Sequence, residues 1–422
     1  MIRLYTFVFF IYRCLLRSAA LFVPKAKLLI SGQKASEINL NQWLKGLGAN
    51  RKIVWMHCAS LGEFEQGRPV LEAIQRDYPE FKILLSFYSP SGFEVRKDTP
   101  LADLVVYLPP DYPAKMRQWV QMVKPALFIV VKYEVWPHLF RSLQVNQVPV
   151  YLLSGIFKTG HRYFGWASVF WKPILKAVTH YFVQNELSKT LLAGLGISSV
   201  TVSGDTRYDR VVAIAKAPQV DERYKEWKAS MPLIILGSSY PEEESVLASL
   251  RSEWKGKYKL VIAPHHIDED RVDQLLLEWE DEMVLASEIK LGKYADPRKS
   301  VLLLNTMGEL GGIYSMGDMA VVGGGWGRGI HNTLEPAAHG LAVLWGPGDQ
   351  GFDEAKALIL AQAGCRLETL DALKQELVSL WQDPRGVKEM GQRAQQHVFS
   401  NTGATAVFME EMRQVLKRQK NV

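Results

Sequence analysis

Two stretches of this chain carry groups whose types and spacing could do chemistry. Gly323-Gly324-Gly325-Trp326-Gly327-Arg328-Gly329-Ile330-His331-Asn332-Thr333-Leu334-Glu335-Pro336-Ala337-Ala338 directly follows the apolar run Met319-Ala320-Val321-Val322. A buried strand that ends in a glycine turn and reopens as a helix leaves backbone N–H groups aimed at whatever lies above it, usually an anion. Gly323, Gly324 and Gly325 are therefore a candidate phosphate cradle. Glu335 follows His331 by four residues. That spacing puts both on one face of the helix's first turns, where a carboxylate can accept hydrogen bonds from two adjacent sugar hydroxyls. A phosphate and a ribose held together suggest a nucleotide. Alternatively, the glycines only pack a helix against a sheet; the His-Asn-x-Leu-Glu-Pro-Ala continuation favours the ligand.

The other stretch, Ser60-Leu61-Gly62-Glu63, follows a strand-like run at 53–57. Gly62 permits a tight turn and Glu63 opens the next helix. A carboxylate there could simply complement the helix dipole, worth roughly 0.3–1 kcal/mol, or it could be a general base. The dipole lowers its pKa, whereas a base works best with a pKa near the operating pH. Partial burial or a neighbouring carboxylate would raise it again, and Glu134, in Lys132-Tyr133-Glu134-Val135-Trp136-Pro137, is the candidate neighbour. Lys132, Glu134 and Trp136 at a strand's exit could orient a sugar or phosphate, or form an ordinary surface pair.

Two more strand exits lie in the second half. Gly237-Ser238-Ser239-Tyr240-Pro241-Glu242-Glu243-Glu244 suggests a serine N-cap followed by dipole-favoured glutamates, although Ser238 and Ser239 could also donate to a phosphate. Ala263-Pro264-His265-His266 offers two imidazoles that diverge and so share no zinc ion. Contacts from them to a base or phosphate stay open. No other His or Cys stands at ligand spacing, so no metal site is expected.

These exits need sheets to hold them. Runs at 53–57, 83–86, 104–108, 127–131, 148–153 and 181–184 alternate with amphipathic segments, and a second series follows at 233–236, 260–263, 301–304, 319–322 and 342–345. Continuous apolar strands between helices imply parallel sheets covered on both faces, and 422 residues are too many for one core. The expected fold is α/β with two Rossmann-like domains facing a cleft, over 36–215 and 216–422, the last helix packing back on the first domain. Hydrophobic content of 48% with 22% charged residues excludes disorder. Three widely spaced cysteines fit neither a disulfide framework nor a C-x-x-C metal site.

Residues 1–35 differ from the rest. Arg3, Arg13, Arg17, Lys25, Lys27 and Lys34 all precede the first acid, Glu37, and are interleaved with aliphatic and aromatic residues. Arg13 and Arg17 interrupt the apolar run, so a membrane-associated interfacial helix with snorkelling arginines fits better than a span or a signal peptide. Positive charge gathered on an apolar N-terminus, rather than along an aromatic groove, argues against a nucleic-acid partner.

In order and spacing, Ser60-Leu61-Gly62-Glu63, Glu134-Val135-Trp136-Pro137, Gly237-Ser238-Ser239 with Glu242-Glu243-Glu244, Ala263-Pro264-His265-His266 and His331-Asn332-Thr333-Leu334-Glu335-Pro336-Ala337 resemble the 3-deoxy-D-manno-octulosonic acid (Kdo) transferases of lipopolysaccharide assembly. The resemblance implies the GT-B glycosyltransferase fold. It also implies an inverting transfer of Kdo from CMP-Kdo to the tetraacylated lipid A precursor, at the cytoplasmic face of the inner membrane and in contact with its lipids, without cofactor or metal. It makes Glu63 the catalytic base and Glu134 a second acid, with Ser60, Gly62, Lys132 and Trp136 on the acceptor side. Ser238, Ser239, His265, His266, Gly323, Gly324, Gly325, Asn332 and Glu335 would hold the nucleotide sugar. Two positions depart from the family pattern: His265 stands where arginine is usual, and Ile330 where a second glycine precedes the His-Asn pair. The alternatives are another GT-B nucleotide-sugar enzyme, such as a UDP-sugar transferase or a 2-epimerase, and a non-catalytic membrane-recruited nucleotide-binding protein. The first would select uridine; the second would tolerate loss of Glu63.

Overall fold

The computed structural model describes residues 1–48 and 51–420; residues 49–50 and 421–422, inside the ranges expected for the two domains, lie outside the described residues. The chain divides into two compact units, Met1–Arg210 with Gly403–Val422, and Val211–Thr402. The division falls inside the helix Thr206–Lys216 rather than in an extended linker. The last helix, Ala404–Lys420, buries Phe408, Met412 and Leu416, spaced four apart on one face, in the core of the first unit.

The first unit is built on a parallel sheet of β1 (Ile53–Cys58), β2 (Lys82–Phe87), β3 (Leu104–Tyr107), β4 (Leu127–Val131), β5 (Val150–Gly155), β6 (His180–Val183) and β7 (Val200–Val202). Their order is β3-β2-β1-β4-β5-β6-β7. Both faces are covered, which is why the strands are continuously apolar: Ile53 and Trp55 enter one core, while Val54, Met56 and Cys58 enter the other. The second unit repeats the plan with β8 (Leu233–Ser239), β9 (Lys259–Pro264), β10 (Met283–Leu285), β11 (Val301–Leu303), β12 (Met319–Val322), β13 (Ala342–Trp345) and β14 (Gly364–Arg366). Its order is β10-β11-β9-β8-β12-β13-β14. In each sheet the strand order reverses beside the first strand, between β1 and β4 and between β8 and β12. The chain leaves those neighbours toward opposite faces, and the crevice this opens is where open α/β sheets bind ligands.

α1 (Ile2–Ala19) and α2 (Pro24–Gly46) meet at a bend of 114°. No single described helix is long and apolar enough to cross a membrane; this bent pair together has the length and composition. α2 is part of the first unit's body. Leu29, Leu40 and Leu44 are buried, Ser36 Oγ accepts the Tyr107 N–H at 2.8 Å, and a Cβ on Gly32 would come within 2.3 Å of the Tyr107 ring. Part of the segment expected over 1–35 is thus packed into the first unit. Leu4, Phe7, Val8, Ile11 and Leu15 form an exposed stripe along α1, at the spacing of one helical face. Arg13 contradicts the snorkelling expectation. It continues the inward face of Tyr5 and Phe9, is only 4% exposed, and donates at 2.8 Å to Gln33 Oε1, whose amide donates at 2.7 Å to the Leu108 carbonyl.

Candidate active site

At the end of β1, Ser60 caps α3 (Leu61–Asp77), its Oγ accepting the Glu63 N–H at 3.5 Å. The Glu63 side chain turns back, and Oε2 accepts the Ala59 N–H. Glu63 thus helps to start the helix, yet its acidity is not that of a dipole-stabilised surface acid. Burial pushes the carboxyl up to about 7, with the Glu134 charge next, outweighing the Ala59 hydrogen bond and the Lys132 ammonium that pull it down. The Ser60 N–H adds a smaller pull in the same direction as Ala59 and Lys132.

Glu134 follows β4, and β4 lies beside β1 with Val54 opposite Leu127. That pairing, across the switch point, makes neighbours of two acids remote in sequence. Burial raises the Glu134 carboxyl as well, and the Arg162 guanidinium restrains it. Lys132 adopts a φ of 62°, left-handed and uncommon for a residue with a side chain, as the chain turns off the strand. Trp136 Nε1 donates to His57 Nε2 at 3.3 Å, while His57 Nδ1 faces the Ser86 carbonyl and hydroxyl at 3.1 and 3.0 Å. Burial lowers His57 to about 3, so a neutral imidazole holds Trp136 in place. Gly62 is not the pivot of a tight turn: it is the second residue of α3, its φ is not left-handed, and a Cβ there would meet nothing within 4 Å.

Beside Glu134 opens a cavity of about 240 Å³, lined by Tyr5, Phe9 and Tyr12 of α1 together with Tyr88, Trp136 and Arg162. Tyr88, Arg162 and the inward face of α1 are absent from the sequence-based site. Tyr88 and Arg162 stand in no motif, and the α1 aromatics had a sufficient explanation as membrane-seeking residues.

In the second unit several expectations are corrected. The helix Pro241–Ser249 is capped by Tyr240, not by a serine. Ser239 Oγ donates at 2.6 Å to the buried carboxylate of Glu244, which also holds Arg271, so its proton is engaged within the protein. Ser238 takes a φ of 53° where the register of β8 against β9 slips. The anion on the glycine turn is Glu243: Oε1 accepts the Gly324 N–H at 2.8 Å and Oε2 the Tyr240 N–H at 3.0 Å. The Gly323 N–H is engaged by the Gly237 carbonyl at 2.9 Å. Two of the three N–H groups of the expected phosphate cradle are therefore already bonded. The glycines serve close approach, since a Cβ would lie 2.2 Å from the Ser238 carbonyl oxygen at Gly323 and 2.4 Å from the Gly346 nitrogen at Gly325.

After this turn the chain folds back before any helix forms. The N–H groups of Gly327, Arg328 and Gly329 return to the Gly324 carbonyl, that of Ile330 reaches the Gly348 carbonyl, and the helix begins only at Leu334. His331 and Glu335 thus do not share a helical face. His331 joins His265 at 4.3 Å and Tyr240 at 5.8 Å between ring centroids, His266 packs at 4.5 Å from His265, and the Arg328 guanidinium lies 5.2 Å from the Tyr240 ring centre. Glu335 pairs instead with Asn332, whose Nδ2 donates to Oε1 at 2.9 Å while its Oδ1 accepts the Leu334 N–H at 2.9 Å. Burial, then His266 and Arg328, lower the His265 imidazole, so Arg328 supplies the lasting positive charge of the cluster. Tyr240 and Arg328 stood inside the quoted motifs without a role; the ring stack that unites them comes from strands β8, β9 and β12 lying side by side. Among the described residues no three His, Cys, Asp or Glu side chains converge as metal ligands.

Residues 35–210 match the family model of the 3-deoxy-D-manno-octulosonic-acid transferases (kdotransferases). The chain is 26% identical to the 3-deoxy-D-manno-octulosonic acid transferase of Haemophilus influenzae over 378 residues, covering 86% of this chain and 87% of that protein. It is 24% identical to the transferase of the same name from Aquifex aeolicus, over 79% and 88% of the two chains. In fold it is similar to the UDP-GlcNAc 2-epimerase of Neisseria meningitidis (TM-score 0.61, 13% identity, 86% of this chain and all of that one). It is also similar to MurG of Acinetobacter baumannii (TM-score 0.52, 14% identity, 86% and 99% of the chains). With two parallel Rossmann-like sheets and these relatives over most of its length, the chain has the GT-B fold and is similar in sequence to the 3-deoxy-D-manno-octulosonic acid transferases.

Proposed function

We propose that this enzyme transfers Kdo from CMP-Kdo to the tetraacylated lipid A precursor at the cytoplasmic face of the inner membrane, with inversion at the anomeric carbon. Glu63 carries the assignment: a buried carboxyl at the exit of β1, raised to about 7, is tuned for a proton transfer near neutral pH. An acceptor hydroxyl beside Oε1 attacks the anomeric carbon from the side opposite the phosphate. The new C–O bond forms as the bond to CMP breaks, CMP departs with the bonding pair, and the hydroxyl proton passes to Glu63. Glu134 and Arg162, at the aromatic cavity, orient the acceptor.

On the donor side, Arg328 supplies the charge that a neutral His265 does not bring to the phosphate. Tyr240, His265 and His331 offer a stacking face for the base, and Glu335, steadied by Asn332, accepts from the ribose hydroxyls. The exposed stripe of α1 lies in the membrane interface with Arg17, Lys25 and Lys27 toward anionic headgroups.

The test is transfer by purified protein with a CMP-Kdo regenerating system and the lipid acceptor, with products weighed by mass spectrometry. Wild type should add one or more Kdo units, and Glu63→Gln should lose about a hundredfold or more in kcat/KM. A variant within about tenfold of wild type, about 1.4 kcal/mol, removes Glu63 as base. No transfer by a wild type that still binds CMP removes the acceptor, and a preference for uridine nucleotides removes the donor.

A further inference from the structure

The N-terminal turn of α1 stands between two cavities of the first unit that the proposed reaction does not use. One, of about 500 Å³, is lined by Arg3 and Thr6 of α1, Arg117 of the helix Pro113–Val123, and His138 and Arg141 of the helix Pro137–Val145. The other, of about 330 Å³, shares Ile2 and Arg141 with it and is otherwise largely apolar, lined by Val169, Phe170, Pro173 and Ile174. A basic chamber and an apolar chamber therefore adjoin.

No acid lines the basic chamber, and Arg3, Arg117 and Arg141 form no ion pair among the described residues. Its polar wall is preformed: Asp111 accepts the N–H groups of His138 and Leu139 at 3.0 and 2.9 Å and the Tyr5 hydroxyl at 2.9 Å, tying α1 to the start of the Pro137–Val145 helix. His138 Nε2 pairs with Thr6 Oγ1 at 2.8 Å. Three guanidinium groups around one cavity suit a phosphate, which each can bond through two N–H groups. The adjoining chamber suits hydrocarbon, and at its edge Val169 is 69% exposed, on the unit that also exposes the apolar stripe of α1.

We propose that the paired chambers hold one anionic phospholipid of the bilayer, its phosphate among Arg3, Arg117 and Arg141 and an acyl chain along Val169, Phe170 and Ile174. This rests on the membrane docking of α1 proposed above and adds a defined lipid to it. The bound lipid fixes how α1 sits on the surface and makes docking selective for anionic bilayers.

The probe is dihexanoyl phosphatidylglycerol below its micellar concentration, titrated calorimetrically into the full-length protein, with dihexanoyl phosphatidylcholine and inorganic phosphate alongside. One phosphatidylglycerol should bind per chain, and the other two compounds about tenfold more weakly or worse. Arg3→Gln/Arg117→Gln/Arg141→Gln should weaken it about a hundredfold, and Arg117→Gln alone should show part of that loss. Lys257→Gln/Lys374→Gln/Lys388→Gln, which removes the same charge from the second unit, should bind as wild type. Equal weakening by both triple variants would mean diffuse attraction and overturn the site, and phosphate binding as tightly as the lipid would overturn the lipid as occupant. Phe7→Ser/Ile11→Ser should lose sedimentation with phosphatidylglycerol vesicles while keeping the short-chain lipid. If it sediments like wild type, the docking of α1 fails and the headgroup site stands.

Discussion

Glu63 and Glu243 occupy the same place in the two sheets. Each is the third residue of the helix that leaves the first strand at a switch point, each is buried, and each turns back to accept an N–H from the preceding loop. Burial raises both carboxyls, against the expectation that a helix start lowers them. They part at the second oxygen. Glu243 receives the Gly324 N–H across β8 and β12, so both oxygens are tied and the side chain is a strut. Glu63 meets, across β1 and β4, the charge of Glu134, and its backbone donors, Ala59 and Ser60, both belong to its own loop. The local motif is shared; the neighbouring strand brings a donor to one acid and a like charge to the other.

Four perturbations test that contrast. The largest effect is expected of Gly325→Ala, which drives a Cβ against the Gly346 backbone. It should destabilise the second unit by about 3 kcal/mol or more in a denaturant titration, and an unchanged midpoint would mean the two turns are not held together. Next, Glu243→Gln puts an amide NH₂ where one of two N–H groups needs an acceptor. It should cost about 1–3 kcal/mol of stability with kcat kept, the reverse of Glu63→Gln; a variant that loses rate and not stability erases the distinction.

The third is pH. As the proposed base, Glu63 would act deprotonated, so kcat/KM should rise with pH and level off above about 7. Glu134→Gln removes a negative neighbour and should move that limb down by about one unit; a limb that stays put excludes Glu134 as the cause. Because the folded protein holds the Glu63 proton more tightly than the unfolded chain, wild type should also lose stability relative to Glu63→Gln as pH rises from about 4.5 to about 7. The smallest effect belongs to Gly62→Ala, which has open space above it and should gain roughly 0.5–1 kcal/mol. A fall in kcat/KM without loss of stability would place the acceptor over that glycine.

Much of this was legible in the residues. Eleven strands announce themselves as continuous apolar runs because both faces of each sheet are covered. β7, β10 and β14 do not: each has three residues at a sheet edge, and β7 and β14 are only partly buried, so neither length nor hydrophobicity marks them. The neighbourhood of Glu63 and Glu134 was foreseeable because parallel sheets bring strand exits together. The engagement of Gly324 by Glu243 was not, since a glycine turn looks the same whether its N–H groups are vacant or bonded. Arg13 was misjudged because a charge in an apolar run has two places to go, water or a buried amide, and only the packing of α2 under α1 offers Gln33.

The two-sidedness of α1 bears on kinetics. Tyr5, Phe9 and Tyr12 wall the cavity beside Glu134, while Leu4, Phe7, Val8, Ile11 and Leu15 face outward on the same helix. An acceptor drawn from the bilayer would then be met in two dimensions, its encounter rate set by mole fraction in the leaflet rather than by bulk concentration. Diluting it with inert lipid at constant total amount should slow turnover, as adding water never would.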